Sequence, residues 1–398
     1  MRQKFVPIWK NYIKNLVIKI PMSKKVTILK HIKQQMKTNI LLIVKLFFII
    51  ISLQTNVFAQ NSKELFINAN SGNDQNNGTK DNPLKSLSAA SKRVNEAEGK
   101  GAITIYLAGG IYGMAETAKF NPAKWQLSKE NRLTIRAEKL PDDADWNPGD
   151  MPVMVSTMPF DIQETNEKKE ITGAFNYGIL IETSHVTIQG LRILGEPVHE
   201  SPKSGILIRN YPIVWDGKDL EDFRVTQCLF LGNKIALPNH LGILASGKAL
   251  EVDHCVFYGI KDAVVMWNTP AEGCKMHHNL FLNTYGAMVW TWSTTDDFKF
   301  YNNVMSNVNV IWVTEKKEAY SFTIDNSIFM GYKELINKGG GPAGFGEKAN
   351  SAKLKLGKNV TLKKEGKLEI EEDPTSRNYL HIVPGTLGDD LGAGLFTK

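Results

Sequence analysis

The 398-residue sequence is poor in cysteine, and its segment 1–59 contains no aspartate or glutamate. The three cysteines, Cys228, Cys255 and Cys274, form no Cys-x-x-Cys pair, so a cysteine-based zinc module has no support. The segment 1–59 holds 11 of the 48 basic residues, which leaves 37 basic against 41 acidic residues in the remainder. The basic character of the chain therefore belongs to its leader, and nucleic acid is not an expected partner of the body.

The apolar run at residues 40–53 is broken by Lys45 and Ser52 and is shorter than the about 20 residues that a membrane span needs. It is followed by Val57-Phe58-Ala59, which ends in the small residue typical of a signal-peptide cleavage site. Residues 1–59 are therefore predicted to be a leader with a signal peptide cleaved after Ala59. We expect a secreted or periplasmic monomer without stable membrane insertion after cleavage; a retained anchor is the alternative.

In place of these features, the body has a ten-residue pattern that recurs most clearly over residues 186–332. The copies begin at Val186, Phe223, Leu250, Cys274, Phe298 and Phe322, and their spacing settles to a constant value within the range of solenoid repeats. The third residue of each copy is apolar, the sixth is mostly small or polar, the eighth is mostly aromatic, and the tenth is Gly or Asn. A period too short to hold a helix beside its strands indicates a β-solenoid, in which each repeat buries its apolar face by stacking on its neighbours.

Two columns of the pattern are predicted to face the interior. The third column comprises Ile188, Val225, Val252, Met276, Phe300 and Ile324. The eighth comprises Phe230, Phe257, Phe281, Met305 and Phe329. Cys228 and Cys255 share the sixth column on adjacent repeats, which predicts stacked core thiols, with a disulfide as the alternative because adjacent rungs lie about 4.8 Å apart. The Gly or Asn of the tenth column predicts a turn with positive φ.

This pattern resembles the right-handed parallel β-helix superfamily that includes the pectate lyases. The resemblance rests on the Asn279/Asn303 ladder and on an opening with Gly78-Thr79, Pro83 and Ser86-Leu87, and it covers about residues 64–396. It implies an all-β fold, a single-stranded right-handed parallel β-helix, with residues 60–398 forming one domain. The closing Pro384-Gly385 and Leu391-Gly392-Ala393 resemble a last rung. The superfamily includes lyases, hydrolases, epimerases and binding proteins, so the resemblance implies a fold and not a reaction.

The open end of a solenoid needs a cap, and an amphipathic helix predicted from about Ser86 to Glu98 can supply it. Residues 196–222 and 233–240 are insertions between repeats, which in solenoids lie on one face that often binds ligands. Two loops are rich in acidic side chains, which suit Ca²⁺ as the one candidate cofactor. These residues are Asp142, Asp143, Asp145 and Asp150, and Asp216, Asp219, Glu221 and Asp222. A solvated turn is the alternative for both loops.

If the third column faces inward, the second and fourth face outward. They bring together an ionisable patch on the sheet that the first strands of successive repeats would form. We call that sheet sheet 1 and the patch the sheet-1 patch: Glu251, Asp253, Lys275, His277, Lys299 and Tyr301. His254 and His278 fall at the adjoining turn and are weaker candidates. Ion pairs on a solvated sheet face are the alternative interpretation of this patch.

The next strand of each repeat carries tryptophans. Alternation predicts that Ala263, Val265, Ala287, Val289, Ile311 and Val313 face inward. Trp290, Trp292 and Trp312 are then outward and suited to stacking on sugar rings, whereas Trp267 has the opposite parity and is expected in the core or at a strand end. Loops that cover these indoles are the alternative.

Together these features favour a polysaccharide-acting enzyme, and a lyase on an acidic polysaccharide in particular. Such a lyase removes the proton beside a uronate carboxylate, neutralises that carboxylate and protonates the leaving oxygen. His277 or a lysine is the predicted base, Tyr301 the acid, and Lys275 or Lys299 the neutralising group. A glycoside hydrolase using Glu251 and Asp253, or a non-catalytic glycan-binding surface protein, are the alternatives.

Overall fold

The structure is a computed structural model that describes residue 31 and residues 34–35, 62–197, 207–238, 240–294, 297–314, 323–339, 345–348 and 355–397. The chain divides into two compact units, Met1–Gln60 and Asn61–Lys398. The predicted signal peptide at residues 40–59, and Phe322 of the last repeat, lie outside the described residues. Among the described residues, no helix combines the length and apolar character that crossing a membrane requires.

The second unit is built from three parallel sheets, to which each turn of the chain contributes one strand in the order sheet 1, sheet 2, sheet 3. The strands of sheet 1 are Lys63–Ile67, Ile103–Leu107, Leu133–Ala137, Val186–Gln189, Glu221–Thr226, Lys248–Asp253, Lys275–His277, Lys299–Tyr301, Thr323–Asp325 and Lys355–Leu356. The strands of sheet 2 are Gly110–Met114, Pro152–Ser156, Arg192–Leu194, Leu229–Leu231, Val256–Tyr258, Leu280–Leu282, Val304–Ser306, Ile328–Met330 and Thr361–Lys363. The parallel strands of sheet 3 are Ala118–Phe120, Ile171–Ile181, Leu207–Trp215, Leu241–Ala245, Asp262–Ala271, Ala287–Thr294, Val310–Thr314 and Glu334–Gly339.

Successive rungs pair in parallel throughout these sheets, which makes the unit a right-handed parallel β-helix, as the sequence predicted. Two antiparallel strands extend sheet 3: Ile162–Thr165 pairs with Ile171–Ile181, and Phe345–Lys348 pairs with Glu334–Gly339. A small separate pair joins Gly99–Lys100 to Trp125–Gln126. Short 3-10 turns occur at Pro148–Asp150 and Asp389–Leu391.

The interior matches the predicted columns. Every member of the third and eighth columns is at most 1% exposed. Phe257 stacks on Phe230 and Phe281 with ring centroids 4.6 and 5.0 Å apart. The amide of Asn279 donates to the backbone oxygen of Val252 at 2.8 Å and to Asn303 Oδ1 at 3.0 Å. The inward polar column is therefore satisfied across the rungs, which removes the cost of burying these amides.

Two turn positions adopt the left-handed conformation in most of the repeats. The tenth-column residues Gly259, Asn283, Asn307 and Gly331 have positive φ, as predicted. Gly195 and Gly232, each of which is followed by an insertion, do not. The fifth column, between sheets 1 and 2, also has positive φ at Gly190, Gln227, His254, His278, Asn302 and Asn326. The two histidines therefore lie at a turn, as the sequence indicated.

The predicted cap helix is present as Leu87–Asn95, and the oxygen of Ser86 caps it by accepting from the amide of Ala89 at 3.1 Å. The helix contacts the first strand of all three sheets and buries Leu87, Ala90 and Val94 against them. It therefore covers the open end of the solenoid and prevents further strand pairing there.

The C-terminal segment does not form a last rung, contrary to the expectation. Residues 364–397 return over the outer face of sheet 2, where Leu380, Ile382 and Leu395 pack with Leu280 and Val304. Outward apolar side chains of sheet 2 explain this path, because they need cover from water. The cysteines are free thiols, all buried, so the prediction of stacked core thiols is correct and the disulfide alternative is wrong.

Candidate active site

The sheet-1 patch forms as predicted, because rung register brings its residues together. Glu251 lies beside Lys275, and Lys275 beside Lys299. In the adjoining row, Asp253, His277 and Tyr301 lie on successive rungs. The ring of His277 stacks on that of Tyr301 with centroids 4.9 Å apart. Lys299 is exposed and Lys275 is half-buried.

His277 is buried and engaged at both ring nitrogens. Its Nε2 lies 3.0 Å from Glu251 Oε1, and its Nδ1 lies 2.9 Å from the Nδ1 of His278. The hydrogen bond from His277 lowers the pKa of Glu251 despite the opposing effect of burial. Burial raises the pKa of Tyr301, with the charges of Glu251 and Asp253 adding to the effect. The patch is thus a connected network, in which the imidazole of His277 has little exposed surface to offer a substrate.

Asp253 does not fit the predicted catalytic role. It is fully buried, and Arg224 holds both of its oxygens at 2.7 and 2.8 Å. Thr226 donates to the same carboxylate at 2.8 Å, and His254 Nδ1 lies 3.0 Å from it. These partners outweigh burial and hold the pKa of Asp253 well below its usual range. A carboxylate that is bound at both oxygens and has no exposed surface cannot reach a sugar, so the predicted catalytic role of Asp253 is wrong.

The predicted outward orientation of the tryptophans is correct in part. Trp312 is fully buried in the solenoid interior, where it packs against Phe298 and Phe300 and donates to Thr291 Oγ1 at 2.9 Å. The error has a simple cause. In sheet 2, Leu282 pairs with Ser306, whereas in sheet 3 Ala287 pairs with Val310. The sequence separation within the sheet-3 pair is therefore one residue shorter than that within the sheet-2 pair. The turn between sheets 2 and 3 is therefore one residue shorter in the later rung, and a shift of one residue exchanges the two faces of a strand.

The other inward assignments in these strands are correct only in part. Val289 and Ile311 belong to the interior cluster, as predicted, and so does Ala263. Val265, Ala287 and Val313 instead join a separate cluster on the outer face of sheet 3, together with Trp290. Their predicted inward orientation was therefore wrong.

Trp290 and Trp292 keep their outward side, although neighbours cover them in part. Trp290 is 9% exposed, and Trp292 is half-buried with its ring 5.4 Å from that of Trp267. Trp267 is exposed and not in the core, because the register of its strand shifts between Met266 and Pro270. An irregularity within the strand therefore reverses the parity on which its assignment depended.

Trp267 and Trp290 border a groove of about 680 Å³ on the outer face of sheet 3, which we name the sheet-3 groove. Aromatic side chains line much of it: Phe175, Tyr177, Tyr211, Trp267 and Trp290. The antiparallel strand Ile162–Thr165 contributes one wall through Glu164 and Thr165. Flat aromatic surfaces in a concave site suit a ring-shaped ligand with polar edges, such as a sugar.

A guanidinium group lies among these aromatics. Arg209 binds both oxygens of Glu164 at 2.6 and 3.1 Å and donates to the hydroxyl of Tyr211 at 2.8 Å. Its Nε is buried and has no hydrogen-bond partner among the described residues. Burial raises the pKa of Tyr211, and burial raises that of Tyr177 to about 12. Both tyrosines therefore keep their protons at neutral pH.

Three further ionisable groups line the sheet-3 groove. Burial lowers the pKa of His240 to about 4, and the charges of Lys261 and Arg209 add to the effect, so this imidazole is neutral at pH 7. Its Nδ1 is buried without a hydrogen-bond partner among the described residues. Burial raises the pKa of Asp262 to about 6, although Ala287 donates its backbone N–H to Asp262 Oδ1 at 2.8 Å and Lys261 Nζ lies 3.9 Å from Oδ2.

The sequence held a signal for this groove in its two insertions. Arg209 and Tyr211 lie in the first insertion and His240 in the second, on the face where insertions were expected to bind ligands. Their identities as site residues were missed because the first insertion contains the sheet-3 strand Leu207–Trp215, whose alternation changes at Pro212. Proline cannot donate to the neighbouring strand, which permits such a local irregularity.

The acidic loops chiefly hold local structure. Asp142 accepts from Gln227 and Thr397, Asp145 pairs with Lys139, and Asp222 pairs with Arg132 and His185. Among the described residues, groups of three or more close metal-ligating side chains do not include either loop. Ca²⁺ binding at these loops stays a prediction.

Comparisons with known proteins find similarity at the level of solved structures. No protein-family model and no curated protein matches the chain. The chain is similar to the GH136 lacto-N-biosidase from Eubacterium ramulus (TM-score 0.36, 10% identity, 79% of this chain and 62% of that one). It is also similar to a glycoside hydrolase (TM-score 0.38, 10% identity, 80% of this chain and 99% of that one). A third similar structure is the PL6 family alginate lyase AlyGC (TM-score 0.25, 9% identity, 84% of this chain and 57% of that one).

The right-handed parallel β-helix is the fold of this chain. The similar structures include hydrolases and a lyase, so they do not distinguish one reaction from another. The chain spans about 62% of the length of the lacto-N-biosidase.

Proposed function

We propose that the protein is a polysaccharide lyase that binds an acidic polysaccharide in the sheet-3 groove and cleaves it by β-elimination. The observation that carries this proposal is the grouping of Arg209, Tyr211 and the neutral imidazole of His240 in one aromatic groove. These are the three chemical types that elimination from a uronate requires.

The roles follow from charge and protonation. Arg209 and Lys261 line the groove and supply the positive charge that neutralises the uronate carboxylate. His240 is neutral at pH 7 and accepts the proton beside that carboxylate. The protonated hydroxyl of Tyr177 or Tyr211 donates to the leaving oxygen, since the guanidinium already occupies an acceptor position of Tyr211 and leaves its O–H free to donate.

The second candidate function is glycoside hydrolysis in the same groove. Its support is the pKa of Asp262, which burial raises to about 6, as suits a carboxylic acid that protonates a leaving oxygen. Glu164 and Asp216 are the other carboxylates of the groove. Against this function, Asp262 is almost fully buried and accepts the backbone N–H of Ala287, which directs one of its oxygens away from a ligand.

A screen of alginate, pectin, glycosaminoglycans and sulfated algal glycans tests both functions. Elimination leaves an unsaturated sugar that absorbs in the ultraviolet, whereas hydrolysis releases reducing ends without that absorbance. On a substrate that the wild type cleaves, His240→Ala should lower turnover at least about a hundredfold, the usual scale for removing an acid or base. Tyr177→Phe and Tyr211→Phe identify the acid.

The sheet-1 patch is the competing location for the same chemistry, and matched variants distinguish the two. His277→Ala and Tyr301→Phe should retain turnover within about threefold if the reaction occurs in the groove. A hundredfold loss in these two variants, with near-normal turnover in His240→Ala, would place catalysis on sheet 1 and overturn the proposed location.

A further inference from the structure

Three histidines meet where sheet 1 turns into sheet 2, away from the sheet-3 groove. His254 and His278 occupy the same turn position on adjacent rungs, and their rings stack with centroids 4.7 Å apart. His277 precedes His278 in the chain. One ring nitrogen of each of the three lies within 4.8 Å of the others.

The spacing of the closest pair has a specific meaning for metal binding. The Nδ1 atoms of His277 and His278 are 2.9 Å apart. Two nitrogens that bind one ion at about 2.0–2.1 Å are separated by roughly 3 Å, which is close to this distance. A shared proton also accounts for this contact, so the pair alone does not decide between a proton and an ion.

The outer partners of the histidines supply the second observation. Glu251 lies 3.0 Å from Nε2 of His277, and Asp253 lies 3.0 Å from Nδ1 of His254. The side-chain amide of Asn302 lies 2.8 Å from Nε2 of His278, and its oxygen accepts from Asn326 at 2.7 Å. Rotation of both amides together presents the oxygen of Asn302 to His278 and keeps the contact between the two asparagines. Each imidazole thus has one nitrogen oriented by a polar side chain, and metal-binding histidines are held by such carboxylate and amide partners.

The cluster is also accessible. His254 and His278 line a cavity of about 490 Å³ between the turn column and the C-terminal segment. Asp389 and Asp390 line the same cavity, so the space that these two histidines border also carries carboxylates. Imidazole donors with carboxylates nearby favour Zn²⁺, Co²⁺, Ni²⁺ or Cu²⁺ over Ca²⁺ and Mg²⁺, which prefer oxygen ligands.

We propose that His254, His277 and His278 form a binding site for a divalent transition-metal ion that fastens adjacent rungs at the turn between sheets 1 and 2. This site is independent of the proposed lyase activity, because none of its residues lines the sheet-3 groove.

The experiment is a titration of the chelator-treated mature protein with Zn²⁺ by calorimetry and with Co²⁺ by visible absorbance. The wild type should bind one equivalent with a Kd in the micromolar range or tighter, and Co²⁺ should show ligand-field bands of nitrogen coordination. His278→Asn and His254→Asn are suitable variants, because Asn302 and Asn326 occupy the same left-handed position on the following rungs. Each should weaken binding by more than the roughly 10–100-fold that follows loss of an outer partner.

His185→Asn is the matched control, because His185 also has positive φ but lies outside the cluster. It should bind Zn²⁺ as the wild type does. If His278→Asn fails to fold, as judged by circular dichroism, His254→Asn and His277→Gln carry the same test. The proposal is overturned if the wild type binds no Zn²⁺ at micromolar concentrations, or if the cluster variants bind as tightly as His185→Asn.

Discussion

Two buried aspartates, Asp253 on sheet 1 and Asp262 on sheet 3, differ in ionisation although both are almost completely excluded from water. Asp253 is bound at both oxygens by Arg224 and at one by Thr226, and its pKa falls far below the ordinary value. Asp262 has one backbone donor and a lysine 3.9 Å away, and burial raises its pKa to about 6. Burial therefore does not determine the charge of a carboxyl group; the number and quality of its partners do.

The same difference in partners distinguishes the outer face of sheet 1 from the sheet-3 groove. On sheet 1, charged groups satisfy one another and leave little for a sugar to bind. In the sheet-3 groove, the pKa of His240 falls to about 4, that of Asp262 rises to about 6, and the Nε of Arg209 has no partner among the described residues. Unsatisfied and perturbed groups in a concave site are typical of functional sites.

The largest effect is expected from breaking the ion pair of sheet 1. Arg224→Met leaves Asp253 buried without its cation and should lower the free energy of unfolding by roughly 3–5 kcal/mol. Lys261→Met, beside Asp262, should cost less than about 1 kcal/mol, because that pair is long and already weak. Urea denaturation at pH 7 measures both. Adding Asp253→Asn to Arg224→Met should restore much of the lost stability. Equal losses of stability in Arg224→Met and Lys261→Met would contradict the difference between the two aspartates.

The second-largest expected effect is the change of stability with pH that Asp262 causes. Because the folded pKa of Asp262, about 6, exceeds the unfolded value of about 3.9, the folded state binds more protons between these values. The free energy of unfolding should therefore fall as the pH rises from about 4 to about 6. Asp262→Asn removes this titration, so its stability relative to the wild type should increase by about 2–3 kcal/mol between pH 4 and pH 7.

Chemical denaturation at several pH values tests this titration. A wild-type-to-variant difference that stays constant with pH would show that Asp262 titrates normally. Asp253→Asn should behave in the opposite sense, with the wild type gaining relative stability as the pH rises toward about 4, since the folded pKa of Asp253 is depressed.

A smaller effect is expected at the aromatic side chains of the groove. Trp290→Ala and Trp267→Ala should each weaken oligosaccharide binding by about 0.5–1.5 kcal/mol, or roughly 2- to 12-fold in Kd. Trp312→Ala should instead lower stability, because its ring fills the interior. Fluorescence quenching by the oligosaccharide, read beside the unfolding midpoint, separates the two outcomes. Unchanged affinity in both groove variants would show that the sugar binds elsewhere.

The smallest effect is expected at Lys299. Its side chain is exposed on sheet 1, so Lys299→Ala should change stability by less than about 0.5 kcal/mol and turnover by less than twofold. Turnover assays on the cleaved polysaccharide measure this. A large loss of turnover would return the chemistry to the sheet-1 patch.

Part of the candidate site was predictable from the sequence. The assembly of Glu251, His277 and Tyr301 followed from the constant repeat period, because parallel rungs place equal positions side by side. The burial of Trp312 did not, because a turn shorter by one residue changes the face and leaves no trace in the apolar pattern. His240 carried no local motif and became a candidate only through its neighbours across rungs.

The sequence by itself determined the β-helix. Its inward columns, its left-handed turn residues and its cap helix follow from alternation, from the tolerance of Gly and Asn for positive φ, and from the need to cover an open sheet end. Only the tertiary structure decided which outward residues are available to a ligand. That property depends on the path of the C-terminal segment, on strand irregularities such as the one at Pro212, and on whether a buried charge such as Asp253 meets partners from other rungs. These are interactions between distant parts of the chain, which local patterns do not encode.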